Sequence, residues 1–155
     1  MHELFKAYYD RLQIIHRGIS EAISDLSSEG LDWQPGPSMN SLAVLVVHTV
    51  GAERYWIGDV AGQDPSGRVR SEEFKSSGLD AAELQERLEL TLAHSYGVLQ
   101  QLTLDDLDAQ RHSWRDDETY SVAWALAHAL EHTAVHLGHI HIGRELWQMN
   151  SAKSS

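Results

Sequence analysis

The chain has 155 residues, enough for one domain with a buried core and too few for two comfortable ones. Twelve Lys and Arg stand against 23 Asp and Glu, and the resulting formal charge of -11 repels phosphate backbones and anionic lipid, which argues against a nucleic-acid partner. With no cysteine the protein supplies neither disulfide nor thiolate, which suits a reducing cytoplasm, and any sulfur chemistry must arrive with a ligand.

The first ten residues, MHELFKAYYD, are charged and amphipathic and lack the apolar core of a secretory signal, so a cytoplasmic location is expected. Leu4, Tyr8, Leu12, Ile15, Ile19, Ile23 and Leu26 then step by three or four residues and predict a first helix ending near Ser27 to Gly30. Two prolines and a glycine between Gln34 and Ser38 forbid a helix, and Asn40 or Ser41 can cap a second one over residues 40–61. Residues 62–79 are rich in Gly, Ser and charge and read as a long crossover. Asp80 and Glu83 form a capping pair ahead of Leu84, Leu88, Leu92, Leu99 and Leu102, the third helix. The acidic stretch 103–118 reads as irregular with a short turn at Leu104 to Leu107, and a fourth helix is expected over residues 119–149.

These elements predict an all-α four-helix bundle with one long crossover between helices two and three, residues 1–150 forming a single domain and 151–155 fraying. The charge-free apolar stretches around 42–52 and 120–130 fall short of the roughly 20 residues that span a bilayer, so no membrane segment is expected.

The chemistry concentrates in histidine. Five of the ten histidines, His128, His132, His136, His139 and His141, fall within about fourteen residues of the predicted fourth helix, in a segment that otherwise reads as buried. Burying imidazoles there is costly unless something binds them, and imidazole is the commonest metal-ligating side chain. His132 and His136, four apart, differ by about 40° in direction and ~6 Å in height, so both can face one ion. A third ligand must come from another helix, and His48 sits on the stripe that also carries Tyr55 and Trp56. Each of the three can equally be a hydrogen-bonded packing residue. His128 and His139 are read as a supporting shell, His141 as surface, and His2, His16, His94 and His112 as solvated or locally bonded. Glu53 and Arg54 read as a surface pair, although Glu53, with His128, is also a candidate for assisting proton transfer. No ExxH motif, GxSxG motif or phosphate-cradling glycine loop is present.

Two blocks carry a family likeness. Leu31-Asp32-Trp33-Gln34-Pro35 leading into residues 41–56, SLAVLVVHTVGAERYW, resembles the second helix of the DinB-like (DinB/YfiT-like) superfamily of metalloenzymes, and residues 128–139, HALEHTAVHLGH, resemble its last helix. The resemblance implies an up-down-down-up order, a divalent metal held by His48, His132 and His136, frequent homodimers, and small-thiol-dependent transferases or isomerases acting on small-molecule substrates. The Glu-Arg after His48 and Gly-His after His136 are similar to mycothiol-dependent maleylpyruvate isomerase, where the position of His132 is typically glutamate. The metal expected is Zn or Ni, with Fe and Mn as further choices for an imidazole set. A metal-dependent hydrolase and a non-catalytic metal- or ligand-binding stress-response protein use the same residues and stand as alternatives.

Overall fold

A computed structural model describes residues 1–153. The chain is mostly helical, with one small antiparallel hairpin: α1 (Glu3–Ile23), α2 (Ser28–Asp32), α3 (Leu42–Glu53) continuing as a π-helical segment (Arg54–Ala61), α4 (Arg70–Glu73), α5 (Ala81–Gln101), a 3-10 turn (Leu104–Asp106), β1 (Gln110–Ser113), β2 (Glu118–Ser121) and α6 (Val122–Lys153). Among the described residues, no helix is long and apolar enough to cross a membrane.

Four long elements make the frame: α6 packs on α1, α3 and the π-helical segment, and α5 packs on α1 and α3. Every residue of α3 from Leu42 to Val50 is buried, which its charge-free sequence anticipates, since a helix apolar all round belongs inside. Its N-terminus is fixed by Ser41, whose Oγ accepts from the Val44 amide at 3.3 Å. On α5 the Asp80–Glu83 pair forms the full capping box, with Asp80 Oδ1 accepting from the Glu83 amide at 2.8 Å and Glu83 Oε2 from the Asp80 amide at 2.9 Å.

The sequence expectation and the structure part at three places. The first helix stops at Ile23, and Ser27 caps a separate short helix, its Oγ accepting from the Gly30 amide. Cap chemistry at Ser27 thus overrides the leucine-isoleucine stripe that runs through Leu26. Second, residues 110–121 form a hairpin, pairing Gln110 with Ser121 through Ser113 with Glu118. Its strands, Gln-Arg-His-Ser and Glu-Thr-Tyr-Ser, lack period-two alternation because the hairpin is anchored from one side only, by the Tyr55 hydroxyl, which lies 2.8 Å from Ser113 Oγ and accepts from the Arg115 amide at 3.0 Å. Third, α6 runs through Lys153, into the tail expected to fray; Ser154 and Ser155 lie outside the described residues.

The core falls into two apolar clusters. One gathers Ile15, Ile19, Ile23, Leu42, Val46, Leu84 and Ile140; the other gathers Phe5, Leu12, Trp56, Ile57, Leu99, Val122 and Ala129. Between them lies a polar layer. His16 of α1 bonds the Glu53 carboxylate through Nε2 at 2.6 Å and the Leu88 carbonyl through Nδ1 at 3.2 Å, and Ser95 of α5 donates to the other Glu53 oxygen at 2.8 Å. Glu53 is 1% exposed and His16 4%. Because a carbonyl only accepts, Nδ1 must carry a proton, so the His16–Glu53 contact holds one more proton between its two heteroatoms.

Candidate metal centre

α3 and α6 bring His48, His132 and His136 together. One ring nitrogen from each lies within 4.8 Å of the others. Ring centroids are 5.1 Å apart for His48 and each α6 histidine, and 4.4 Å for His132 and His136. The i, i+4 spacing on α6 supplies two donors on one face, and the contact of α3 with α6 supplies the third.

Burial draws the proton affinity of His132 down to about 3, helped by the neighbouring His136 and His48 rings, and that of His136 down to about 4, for the same reasons of burial and proximity to His48. Both rings are neutral at neutral pH, with lone pairs available to a cation. Their Nε2 atoms face each other at 3.3 Å, and His132 Nδ1 is buried with no hydrogen-bond partner among the described residues. Neutral imidazoles converging on one point, one with an unanswered nitrogen, suit a divalent ion.

The third ring is held from behind. His48 Nδ1 donates to Glu73 Oε2 at 2.8 Å, and the Arg68 guanidinium forks both Glu73 oxygens, through Nε to Oε1 and through Nη2 to Oε2 at 2.8 Å. Burial works to raise the Glu73 carboxyl, but the bonds from His48 and Arg68 outweigh it and hold it below the usual carboxylate range. An anionic Glu73 puts the His48 proton on Nδ1 and leaves Nε2 as the free donor, the carboxylate–histidine arrangement that orients metal-binding imidazoles. Nothing in the sequence isolates Glu73 among the charges of the crossover. Only folding, with α4 formed over Arg70–Glu73, sets it beside Gly51. A Cβ at Gly51 would collide with Glu73 Oε1, so only glycine leaves room for this carboxylate where it stands. Gly51→Ala should therefore displace Glu73 and weaken divalent-metal binding by about 10- to 100-fold, the usual penalty for losing an orienting partner. Competition against a chromophoric chelator measures it, and an unchanged affinity would leave Glu73 without an orienting role.

The remaining predicted residues are placed as follows. His128 lies parallel to Trp124 at 4.8 Å and edge-on to Trp56 at 4.8 Å, with its ring 5.8 Å from His132, so it enters the site as part of an aromatic wall. His139 is exposed, its Nδ1 3.4 Å from that of His136. His141 is exposed, as expected. Glu53 is no surface residue. Both its oxygens are taken by His16 and Ser95 in the polar layer between the two core clusters, where sequence reading had no way to see that His16 would meet it. Arg54, its sequence neighbour, instead binds Asp59 and Asp64. His2 caps α1, His94 bonds Asp64, and His112 lies 3.5 Å from Asp117. Phe74 covers His48 at 5.0 Å between ring centroids.

A histidine whose folded pKa lies below its unfolded value gives stability that is complete above about 6.5 and is lost as pH falls toward the folded pKa. Metal-free protein is therefore expected to lose thermal stability between pH 7 and 5, by about 5 °C for a chain of this size. Replacing His132 and His136 with asparagine should flatten that slope; a thermal midpoint equally steep in the double variant would assign the loss to other groups.

Comparison with known proteins agrees with this architecture. No curated protein matches the chain. A crystal structure of a conserved protein from Enterococcus faecalis shares the fold, with a TM-score of 0.73 at 16% identity over 94% of this chain and 98% of that one. The family model for mycothiol-S-transferase matches residues 10–148, a span that takes in α3, the crossover and all three converging histidines, and the chain belongs to that family.

Proposed function

We propose that this protein is a divalent-metal-dependent S-transferase that joins a small thiol to an electrophilic small molecule. The observation that carries it is the convergence of three imidazoles, one braced by Glu73 and Arg68, in a chain of the mycothiol-S-transferase family. His48, His132 and His136 would hold the ion, with Zn or Ni preferred by an all-imidazole set. A dication at this point supplies the Lewis acidity that favours the thiolate form of an incoming thiol. The chain's own part is positional. Glu73 fixes the His48 ring, Phe74 and the Trp56–Trp124–His128 wall limit water, and three protein donors leave positions for a ligand. The absence of cysteine is in keeping with a thiol brought by the cofactor.

Within this reading the four long helices follow the up-down-down-up order of the superfamily as one domain, and the protein works in the cytoplasm as a homodimer. Val135, Ile142 and Met149, exposed at seven-residue spacing on α6, offer a seam for such pairing. The test is spectroscopic: the visible bands of cobalt-substituted protein should shift on adding mycothiol, with glutathione and bacillithiol as comparators. Bands indifferent to all three thiols would remove the mechanism.

A further inference from the structure

Cations are scarce in this chain, yet three guanidinium groups line one cavity. It measures about 570 Å³ and lies between the π-helical segment, the crossover and the hairpin, walled by Tyr55, Arg68, Arg70, Trp114 and Arg115, with Asp59 and Pro65 at its edge. Arg68 is the residue that forks Glu73 behind His48, so the cavity adjoins the metal centre through a single carboxylate.

The charges around it are unevenly satisfied. Arg68 is paired with Glu73. Arg115 lies over the Trp56 ring at 4.7 Å and gives one nitrogen to Asp116, whose carboxyl is held far below its usual range: burial opposes this, and bonds from Arg115, Ser113 and Tyr120 prevail. Asp59, the one carboxylate of the lining, is already engaged by Arg54, the Ser66 amide and the Ser66 hydroxyl. Arg70 has no carboxylate partner among the described residues and rests on Phe74, the ring that covers His48, at 4.9 Å. Trp114, at the tip of the hairpin, is 73% exposed and offers a large flat surface over the cavity.

A free planar fork beside aromatic faces matches a planar carboxylate on a flat apolar body. We propose that this cavity binds a small, flat organic carboxylate, with Arg70 as the principal anchor, Arg115 as a second, and Trp114 and Tyr55 packing on the body of the ligand. Its role as the electrophilic partner of the thiol rests on the S-transferase reading; the binding itself does not. The ligand class is thereby narrowed to acids whose carboxylate sits a few ångströms from an unsaturated or aromatic frame.

Benzoate, benzamide and inorganic phosphate serve as probes, their binding to the full chain followed by ligand-observed NMR. Benzoate is expected to bind at least about tenfold more tightly than benzamide, and Arg70→Gln to remove most of that advantage and flatten its salt dependence. Arg115→Gln should have a smaller effect, because Asp116 already uses part of that group. His132→Ala should leave benzoate binding unchanged. Equal binding of benzamide, unaltered binding in Arg70→Gln, phosphate binding as tightly as benzoate, or loss in His132→Ala with retention in Arg70→Gln would each overturn the proposal. Arg70 is exposed and its replacement should fold, which an unchanged circular dichroism melt verifies. Failure of the S-transferase reading is separately visible, as a cobalt spectrum blind to thiols while benzoate still binds.

Discussion

Replacing His132 with alanine is expected to lower zinc or nickel affinity by about 100- to 1,000-fold, and His136→Ala and His48→Ala by at least a similar factor. Structural zinc sites with four ligands bind with roughly 10–16 kcal/mol, so one donor among three or four accounts for several kcal/mol, and each 1.4 kcal/mol is tenfold. The effect should be sharper than ligand counting suggests at His48, where removal of the ring also leaves the buried Glu73 carboxylate and Arg68 facing a gap. His141→Ala, on an exposed position of the same helix, is the control and should leave affinity unchanged. The measurement is chelator competition on protein purified without a polyhistidine tag. Metal content near zero in the wild type, or equal affinities in wild type and His132→Ala, would reduce the cluster to packing residues.

A second substitution is expected to act on stability. Glu53→Ala removes the partner of a histidine that is 4% exposed and strands Ser95 Oγ, and breaking a buried pair from one side costs about 3–5 kcal/mol. For a protein of ordinary stability that is a large share of the total. His16→Leu should cost a comparable amount, since it leaves the Glu53 carboxyl without its main partner. The double variant with leucine at both positions should recover much of the loss, because the desolvation of two polar groups disappears with them. Urea unfolding of the two single variants and the double one measures this as a cycle, and strictly additive losses would mean that the pair is not coupled. Metal affinity is expected to be nearly unchanged throughout, which separates this layer from the histidine centre.

How far the sequence disclosed these features depended on whether their cause was local. Ser41, Asp80 and Glu83 declare helix starts within four residues of themselves, and the structure places caps on all three. His132 and His136 are legible for the same reason, since helical spacing alone sets them side by side. His48 was reachable because α3 is so apolar that a polar ring on it draws notice. Glu53 and Glu73 were not legible: each is one carboxylate among 23 acidic residues, distinguished only by a partner that arrives from another element, His16 in one case and His48 in the other. The hairpin escaped because its strands are held by Tyr55 and Trp56 on one flank, a contact that leaves no periodic trace. The π-helical stretch likewise follows from packing, with Tyr55 and Trp56 turned toward the hairpin and Ile57 and Val60 toward the core.

The cavity and the histidine centre are built from different kinds of chain. The three converging imidazoles stand on α3 and α6, whose positions are fixed by both apolar clusters, whereas Arg68 and Arg70 come from the crossover and Trp114 and Arg115 from the tip of the hairpin. Connections of this sort accept insertion and substitution far more readily than the helices they join. On the S-transferase reading, the reaction and the choice of its partner can therefore be inherited separately: descendants of one bundle can exchange the arginines and tryptophan of two surface segments, and with them the proposed ligand, while the histidines on the helices pass on unaltered.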